Sequence, residues 1–341
     1  MKAGYVALIG RPNVGKSTLL NSLLGEKVAI ISNKPQTTRV SILGVKTTPA
    51  GQIIFIDNPG IHKPLHTLNR RMMNFVYSAL ETADLVCLLI DATERFGHGD
   101  EFVVETLRKV TTPLFLLINK VDIIKKEKIL LIIDQYKDRL PFKEIIPISA
   151  LKRTNLNILE EQIYMVLPEA EKLYADDMVT DRTLRFQLAE IIREKLLERV
   201  EEELPFVTAV LIDSMEERKD IGSREKEEEE KSPETKILSV DENRPVLNSL
   251  SPNQRQKPGK PKEKKQRTKV TYISASIFVE RDSHRGIVIG RQGRLIKEIG
   301  IEARREIERI LDSRVYLELK VKVRKKWRDS PDVLDLIEGQ R

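Results

Sequence analysis

Gly10-Arg11-Pro12-Asn13-Val14-Gly15-Lys16-Ser17 is the stretch whose reading decides the fold. It fits G-x-x-x-x-G-K-[ST], and its flanks fit as well. Residues 5–9, Tyr-Val-Ala-Leu-Ile, make an apolar run of strand length before it. Residues 17–24 carry leucines at helical spacing after it, with Gly25 placed as a C-cap. Strand, glycine loop and helix in that order form a cradle for phosphate. Gly10 and Gly15 let the backbone curl close around an anion with its N–H groups pointing inward, and the helix N-terminus adds partial positive charge. The Lys16 ammonium can reach the terminal phosphates of a nucleotide, and the Ser17 hydroxyl is suited to Mg²⁺.

Outward from the loop, residues 1 to about 172 alternate between apolar runs of strand length (5–9, 40–45, 52–56, 85–90, 114–118, 144–148) and stretches of helical character such as 68–81 and 100–110. This alternation predicts an α/β domain with a mostly parallel sheet covered by helices. An open sheet of that kind binds ligands beyond the C-terminal ends of its strands, and the next motifs fall there.

Asp57-Asn58-Pro59-Gly60 follows the run 52–56 and fits D-x-x-G. Asp57 is suited to hold Mg²⁺ directly or through water, and the Gly60 N–H to meet a γ-phosphate. Asn119-Lys120-Val121-Asp122 follows 114–118 and fits N-K-x-D. A carboxylate at Asp122 can accept two hydrogen bonds, from guanine N1–H and from the exocyclic amine. Adenine lacks that donor pair, and a site whose polar groups are left unpaired rejects the wrong base by ~10⁴ or more. The Lys120 stem can lie along the base plane. Ser149-Ala150 ends the next strand, where a backbone element meets guanine O6. Thr37-Thr38-Arg39 lies between the loop helix and the run 40–45. A threonine hydroxyl there completes a Mg²⁺ shell only when a γ-phosphate is present, which makes the segment a candidate switch.

Four motifs in this order resemble the translation-factor class of GTPases. Arg11-Pro-Asn-Val14 inside the loop, Gln36-Thr-Thr-Arg39 and Asp57-Asn-Pro-Gly-Ile61 are similar to the Era-type family. The resemblance implies a P-loop GTPase domain followed by a smaller α+β KH (type II-like) RNA-binding domain. It implies a GTP site made of Gly10, Arg11, Pro12, Asn13, Val14, Gly15, Lys16, Ser17 and Thr18, then Asp57, Asn58, Pro59, Gly60 and Ile61. Asn119, Lys120, Val121, Asp122, Ser149 and Ala150 complete it. Mg²⁺ is expected on Ser17, Thr38 and Asp57. Catalysis is expected from Lys16, Thr38, Gly60 and Asn13. Two departures stand out. Asn58 replaces the family's usual threonine. Ile61 occupies the place where many GTPases keep a glutamine that orients the attacking water. The resemblance offers a substitute, a K⁺ ion held by Asn13.

The C-terminal half carries the expected pattern. Residues 184–204 read as a helix with Leu188, Ile192, Leu196 and Val200 on one face, and 206–212 as a strand. Ile273, Ala275, Ile277 and Val279 alternate as a second strand. Gly286-Ile287-Val288-Ile289-Gly290-Arg291-Gln292-Gly293-Arg294-Leu-Ile-Lys297 then contains G-x-x-G and opens a helix; Val315 to Val323 alternate as a last strand. A G-x-x-G loop clamps the backbone of about four nucleotides. Gly290 and Gly293 permit close approach to phosphate, Arg291, Arg294 and Lys297 supply charge, and Ile287, Val288 and Ile289 are expected to floor a groove. Gly286 and Gln292 belong to the same interface. The expected domains are 1–172 (GTPase), 173–183 (linker), 184–330 (KH) and 331–341 (C-terminal tail). A disordered insertion is expected at about 216–269, where residues 227–230 are acidic and 257–269 hold seven Lys/Arg against one Glu.

Composition bounds the rest. The 341 residues are 40% hydrophobic, enough for two cores, and the net charge of +7 suits a polyanionic partner. The single cysteine, Cys87, excludes an internal disulfide and reads as a small buried side chain. The four histidines show no metal-ligand spacing with it. No apolar run approaches the ~18 residues that span a bilayer, and a strand starts too early for a signal peptide, so the cytoplasm is the expected compartment. The family resemblance gives the partners: GTP and GDP, the 3′ end region of small-subunit rRNA, and the small ribosomal subunit in its assembly. It also leaves a weak peripheral association with the cell membrane. A monomer is expected. The rival readings are an RNA-binding scaffold with nucleotide as a structural ligand, and a peripheral membrane GTPase.

Overall fold

The glycine loop hangs from β1 (Lys2–Gly10), in which Val6, Ala7, Leu8 and Ile9 are fully buried. A strand covered on both faces admits apolar side chains at every position, so its sequence is a continuous run rather than an alternation. The chain is seen in a computed structural model whose described residues are 1–219 and 269–339. They fall into two compact units. The first comprises Met1–Arg182, Glu201–Phe206 and Lys326–Gly339, the second Thr183–Val200 and Val207–Lys325.

The first unit is an α/β layer structure. After β1 come α1 (Lys16–Leu24), β2 (Ile42–Thr48), β3 (Gly51–Asp57), α2 (Thr67–Thr82), β4 (Leu85–Asp91) and α3 (His98–Leu107). β5 (Leu114–Asn119), α4 (Lys126–Tyr136), β6 (Phe142–Pro147) and α5 (Leu156–Val166) follow. The sheet runs β2-β3-β1-β4-β5-β6. All pairs are parallel except β2 with β3, which are antiparallel. β1, β3, β4 and β5 therefore point their C-terminal ends the same way. Gly10, Asp57 and Asn119, far apart in sequence, end strands of the same direction on one edge, β1 beside β3 and β5 separated from β1 by β4. Cys87 is buried within β4, and burial raises its thiol pKa, as an inert core side chain should behave.

The second unit is α+β. Its elements are α6 (Leu184–Leu197), β7 (Ala209–Lys219), β8 (Lys269–Val279), α8 (Asp282–Ile289), α9 (Arg294–Leu311) and β9 (Arg314–Val323); between α6 and β7 the chain forms the short helix α7 (Leu204–Val207), whose first three residues belong to the first unit. β7 pairs antiparallel and β9 parallel with the central β8. Ile273, Ala275 and Ile277 of β8 and Ile299, Ala303 and Ile307 of α9 are all essentially solvent-free, as their two periods require.

Several boundaries differ from expectation. The helix foreseen over 184–204 stops at Leu197, and Phe206 belongs to the short helix α7 rather than to a strand. Glu201, Glu202 and Glu203 are placed where a longer helix would set three like charges at its negative end. β7 begins at Ala209 and runs through 216–219, so those four residues and Lys269 are paired strand, not insertion. Residues 220–268, which carry the rest of the expected insertion, lie outside the described residues. The expected linker packs on the first unit: the Val45 N–H donates to Val179 O at 2.8 Å. The expected C-terminal tail contains a helix, α10 (Pro331–Glu338), within the first unit. The last residues of the expected KH domain, Lys326 onward, also belong to the first unit, with Trp327 fully buried there.

Candidate nucleotide site and nucleic-acid interface

At the C-terminal edge of the sheet lies a cavity of about 520 Å³, lined by the loop after β1, the 30–38 segment, Gly60, Asn119, Lys120, Asp122, Ser149 and Ala150. All the motifs anticipated for a nucleotide thus meet around one space. Gly15 sits at φ +99°, and a Cβ there would lie 2.4 Å from Asn119 Nδ2, so only glycine fits. The Lys16 ammonium donates to the carbonyls of Gly10 (3.2 Å) and Arg11 (2.9 Å).

Three oxygens converge at the mouth of α1. Ser17 Oγ donates to Asp57 Oδ2 at 2.6 Å and lies 2.9 Å from Thr38 Oγ1, which is itself 3.4 Å from Asp57 Oδ2. Asp57 Oδ1 is buried and has no hydrogen-bond partner among the described residues. An orphaned buried carboxylate oxygen beside two hydroxyls is a hard, all-oxygen donor set, the chemistry Mg²⁺ takes. The residues present fit that ion. Electrostatics agree. Burial depresses the Lys16 ammonium to about 8, against the attraction of Asp57. Burial likewise lifts the Asp57 carboxyl to about 6, against Lys16, Ser17 and Thr38. Both charges lack the solvation that a phosphate and a cation would replace.

Asn119 is 2% exposed and ties the site together. Its Nδ2 donates to Val14 O at 2.8 Å, and its Oδ1 accepts from the Ala150 N–H at 2.9 Å. The Ala150 amide, expected to face the base, is therefore engaged by Asn119. Ser149 is fully buried and its hydroxyl accepts from the Lys152 N–H. Asp122 stands exposed at the cavity in a short 3₁₀ turn, Val121–Ile123. Lys120 takes a left-handed conformation and its ammonium bonds Asp91, a partner no motif in the sequence announced.

The two departures now have physical accounts. Asn58 is fully buried: its amide donates to Ile56 O at 3.0 Å and its Oδ1 accepts from Ser41 at 2.7 Å. The side chain, not only the turn backbone, fixes the end of β3. Ile61 is buried in the core, while its N–H donates to Gly10 O at 3.0 Å. Its side chain, expected among the GTP residues, does not line the cavity; only its backbone borders the phosphate loop. Asn13 sits at the cavity wall with Nδ2 donating to Asn33 O at 2.7 Å.

In the second unit, the tip between α8 and α9 is Arg291–Gly293. A Cβ at Gly290 would lie 2.7 Å from Leu295 Cβ, so glycine is required for the turn. Gly293 has open space around it, and Arg291, Gln292, Arg294 and Lys297 are exposed. Val288 is fully buried and points into the core, while its neighbours Ile287, 54% exposed, and Ile289, half-buried, remain accessible. The correction is one of period: 286–289 are helical, and adjacent helical residues face different ways. A shallow groove of about 310 Å³ runs instead along α9 and β9, lined by Ile296, Lys297, Gly300, Ile301, Arg304 and Tyr316. Gly300, a helical residue without a side chain, was the signal for it.

Residues 5–120 match a family model described as 50S ribosome-binding GTPase, and residues 260–328 match the KH domain model. GTPase Era of Heliobacterium modesticaldum is 40% identical over 334 residues, which span 98% of this chain and 96% of that protein. A solved structure of Era in complex with MgGDPNP and nucleotides 1506–1542 of 16S ribosomal RNA is 39% identical, with TM-score 0.81 over 99% of this chain and 98% of that one. A tyrosine-to-alanine variant of Aquifex aeolicus Era bound to GDP·AlF4⁻ is also 39% identical, with TM-score 0.79 over 99% of each chain.

Base reading by Asp122 gives a direct test. Asp122→Asn replaces acceptors by a donor and should weaken GDP binding by roughly a hundredfold or more while admitting xanthosine diphosphate, whose C2 oxygen needs a donor. Equilibrium titration with both nucleotides checks it; unchanged GDP affinity would remove Asp122 from the base site.

Proposed function

The chain belongs to the Era family of GTPases, and from that premise we propose that it acts in assembly of the small ribosomal subunit, binding the 3′ end region of the small-subunit rRNA through its KH domain. The observation that carries this reading is the exposed cationic turn Arg291–Gly293 at the head of a partly apolar groove, in a chain similar over nearly its whole length to an Era that binds 16S rRNA. The turn would clamp phosphates, and the groove, floored by Ile296 and Ile301 and rimmed by Lys297 and Arg304, would receive splayed bases. The net charge of +7 supports a polyanionic partner. The chain acts as a monomer in the cytoplasm. A weak peripheral contact with the cell membrane has the same basic charge as its support, and among the described residues no helix is long and apolar enough to cross a bilayer.

The GTP residues are those gathered round the cavity, with Ser17, Thr38 and Asp57 holding Mg²⁺. When bound, that ion neutralises charge on the phosphates. Lys16 would leave its two carbonyl partners for the β- and γ-phosphates, and the amides of the loop after Gly10 would hold the anion in place. Gly60 would present its N–H to the γ-phosphate. Water attacks in line with the leaving oxygen. Ile61, at the place where many GTPases keep a water-orienting glutamine, is buried and cannot take the water's proton, so intrinsic turnover is slow. Asn13, whose side-chain carbonyl suits a monovalent cation, would hold K⁺ against the β–γ bridge.

Two outcomes are expected. Gly293→Asp places a carboxylate at the tip, at a left-handed position (φ +74°) that Asp tolerates better than most residues, and should lower affinity for a 16S 3′-end oligonucleotide by about tenfold or more, with a somewhat lower melting temperature but the fold kept. Undiminished binding by the folded variant would show that the tip is not the clamp. Single-turnover hydrolysis should be faster in KCl than in NaCl, and Asn13→Ala should erase that difference; equal rates for the wild type in the two salts would dispose of the K⁺ site.

A further inference from the structure

Arg39 follows Thr38 directly in the chain yet points away from the nucleotide cavity. It is 4% exposed. Its Nη2 donates to Pro205 O at 2.8 Å, and its guanidinium carbon stands 5.6 Å from the centre of the Trp327 ring. Trp327 is fully buried and is the single tryptophan in the sequence. The Trp327–Asp329 turn is anchored in turn to α2, which follows the D-x-x-G loop. The Thr67 N–H donates to Asp329 Oδ1 at 2.9 Å, and Arg71 Nη1 lies 2.6 Å from Asp335 Oδ1 and 3.1 Å from Glu338 Oε2 on α10. All these residues lie within the first unit.

A charged side chain leaves water only where hydrogen bonds and a ring face compensate, and Arg meets both needs with one planar group. A guanidinium that faces a ring and donates to a carbonyl cannot drift far without weakening these contacts, since both fall off steeply with distance and angle. Its neighbour Thr38 is then fixed in the other direction, with Oγ1 2.9 Å from Ser17 Oγ. We propose that Arg39 is a positioning residue for GTP hydrolysis: gripped by Pro205 and Trp327, it holds the Thr38 hydroxyl over the Ser17–Asp57 pair, and Trp327 thereby reports the state of the nucleotide site. The proposal rests on the assignment of Thr38 to the Mg²⁺ shell.

The loss expected from Arg39→Gln is in the chemical step, not in ground-state binding. Gln keeps a donor for Pro205 but neither charge nor a face for the ring. Misplacement of a positioning group costs roughly ten- to a hundredfold in rate. Single-turnover hydrolysis by Arg39→Gln should fall by that amount and need more Mg²⁺ for half-maximal rate, with GDP affinity within about twofold of wild type. In the wild type, the emission of Trp327 should differ between the GDP form and the Mg²⁺·GDPNP form, and Arg39→Gln should abolish the difference. Trp327→Phe, which keeps a ring and the fold, should retain most of the activity and lose the signal.

Thr38→Ala separates this proposal from the metal assignment. If Thr38→Ala hydrolyses GTP like the wild type at limiting Mg²⁺, the metal assignment fails and the proposal with it. If Thr38→Ala is impaired while Arg39→Gln matches the wild type in rate and Mg²⁺ requirement, and Trp327 emission is the same in both nucleotide states, the proposal alone is overturned.

Discussion

The side-chain amide of Asn119 is the constraint on which the nucleotide site depends. It is buried where β5 ends, gives its two donor and acceptor functions to Val14 O and to the Ala150 N–H, and so joins the phosphate loop to the loop after β6. A buried amide left without partners costs about 1–3 kcal/mol per unsatisfied group. The two contacts therefore hold each other in place. Gly15 has no side chain because Asn119 already occupies the space a Cβ would need. The distance from phosphate cradle to base reader is thus set by one rigid contact, not by the mobility of two loops.

From that frame the charged part of the site follows. Neighbouring parallel strands β3, β1 and β4 end on one edge, which brings Asp57 to the mouth of α1 beside Ser17. Lys16 and Asp57 are both buried, and burial pushes each toward its neutral form. Mutual attraction opposes the shift without cancelling it. The site is held in a state whose charges are under-solvated, and an anion with a divalent cation supplies what water cannot. Asp57 Oδ1, without a hydrogen-bond partner among the described residues, marks where that cation would bind.

Much of this was legible in the sequence because motifs at strand ends encode both position and chemistry. Gly10 to Ser17, Asp57 to Gly60 and Asn119 to Asp122 each follow an apolar run, and each meets the cavity or borders it. Less legible were contacts between residues distant in sequence with no motif of their own. Asp91 bonding Lys120, Asn33 accepting from Asn13, and Ser41 bonding Asn58 leave no periodic trace. Trp327 read as the end of the KH domain, because the sequence period cannot say which unit a short segment packs on. Val288 misled for a related reason. An apolar run of three looks like a groove floor, but in a helix its middle residue turns to the core. β7 outran its expected end because Glu216, Glu217 and Arg218 are charged, so that ladder pairing, not hydrophobic alternation, extends it.

The central claim is that one buried amide makes phosphate binding and base recognition a single site. Calorimetric titration of Asn119→Ala with GDP·Mg²⁺ tests it most directly, beside a thermal melt of the same protein. The account predicts affinity weakened by roughly a hundredfold, since about 3 kcal/mol of positioning hydrogen bonds is lost from a variant that still folds. GDP affinity within a few-fold of the wild type would contradict it.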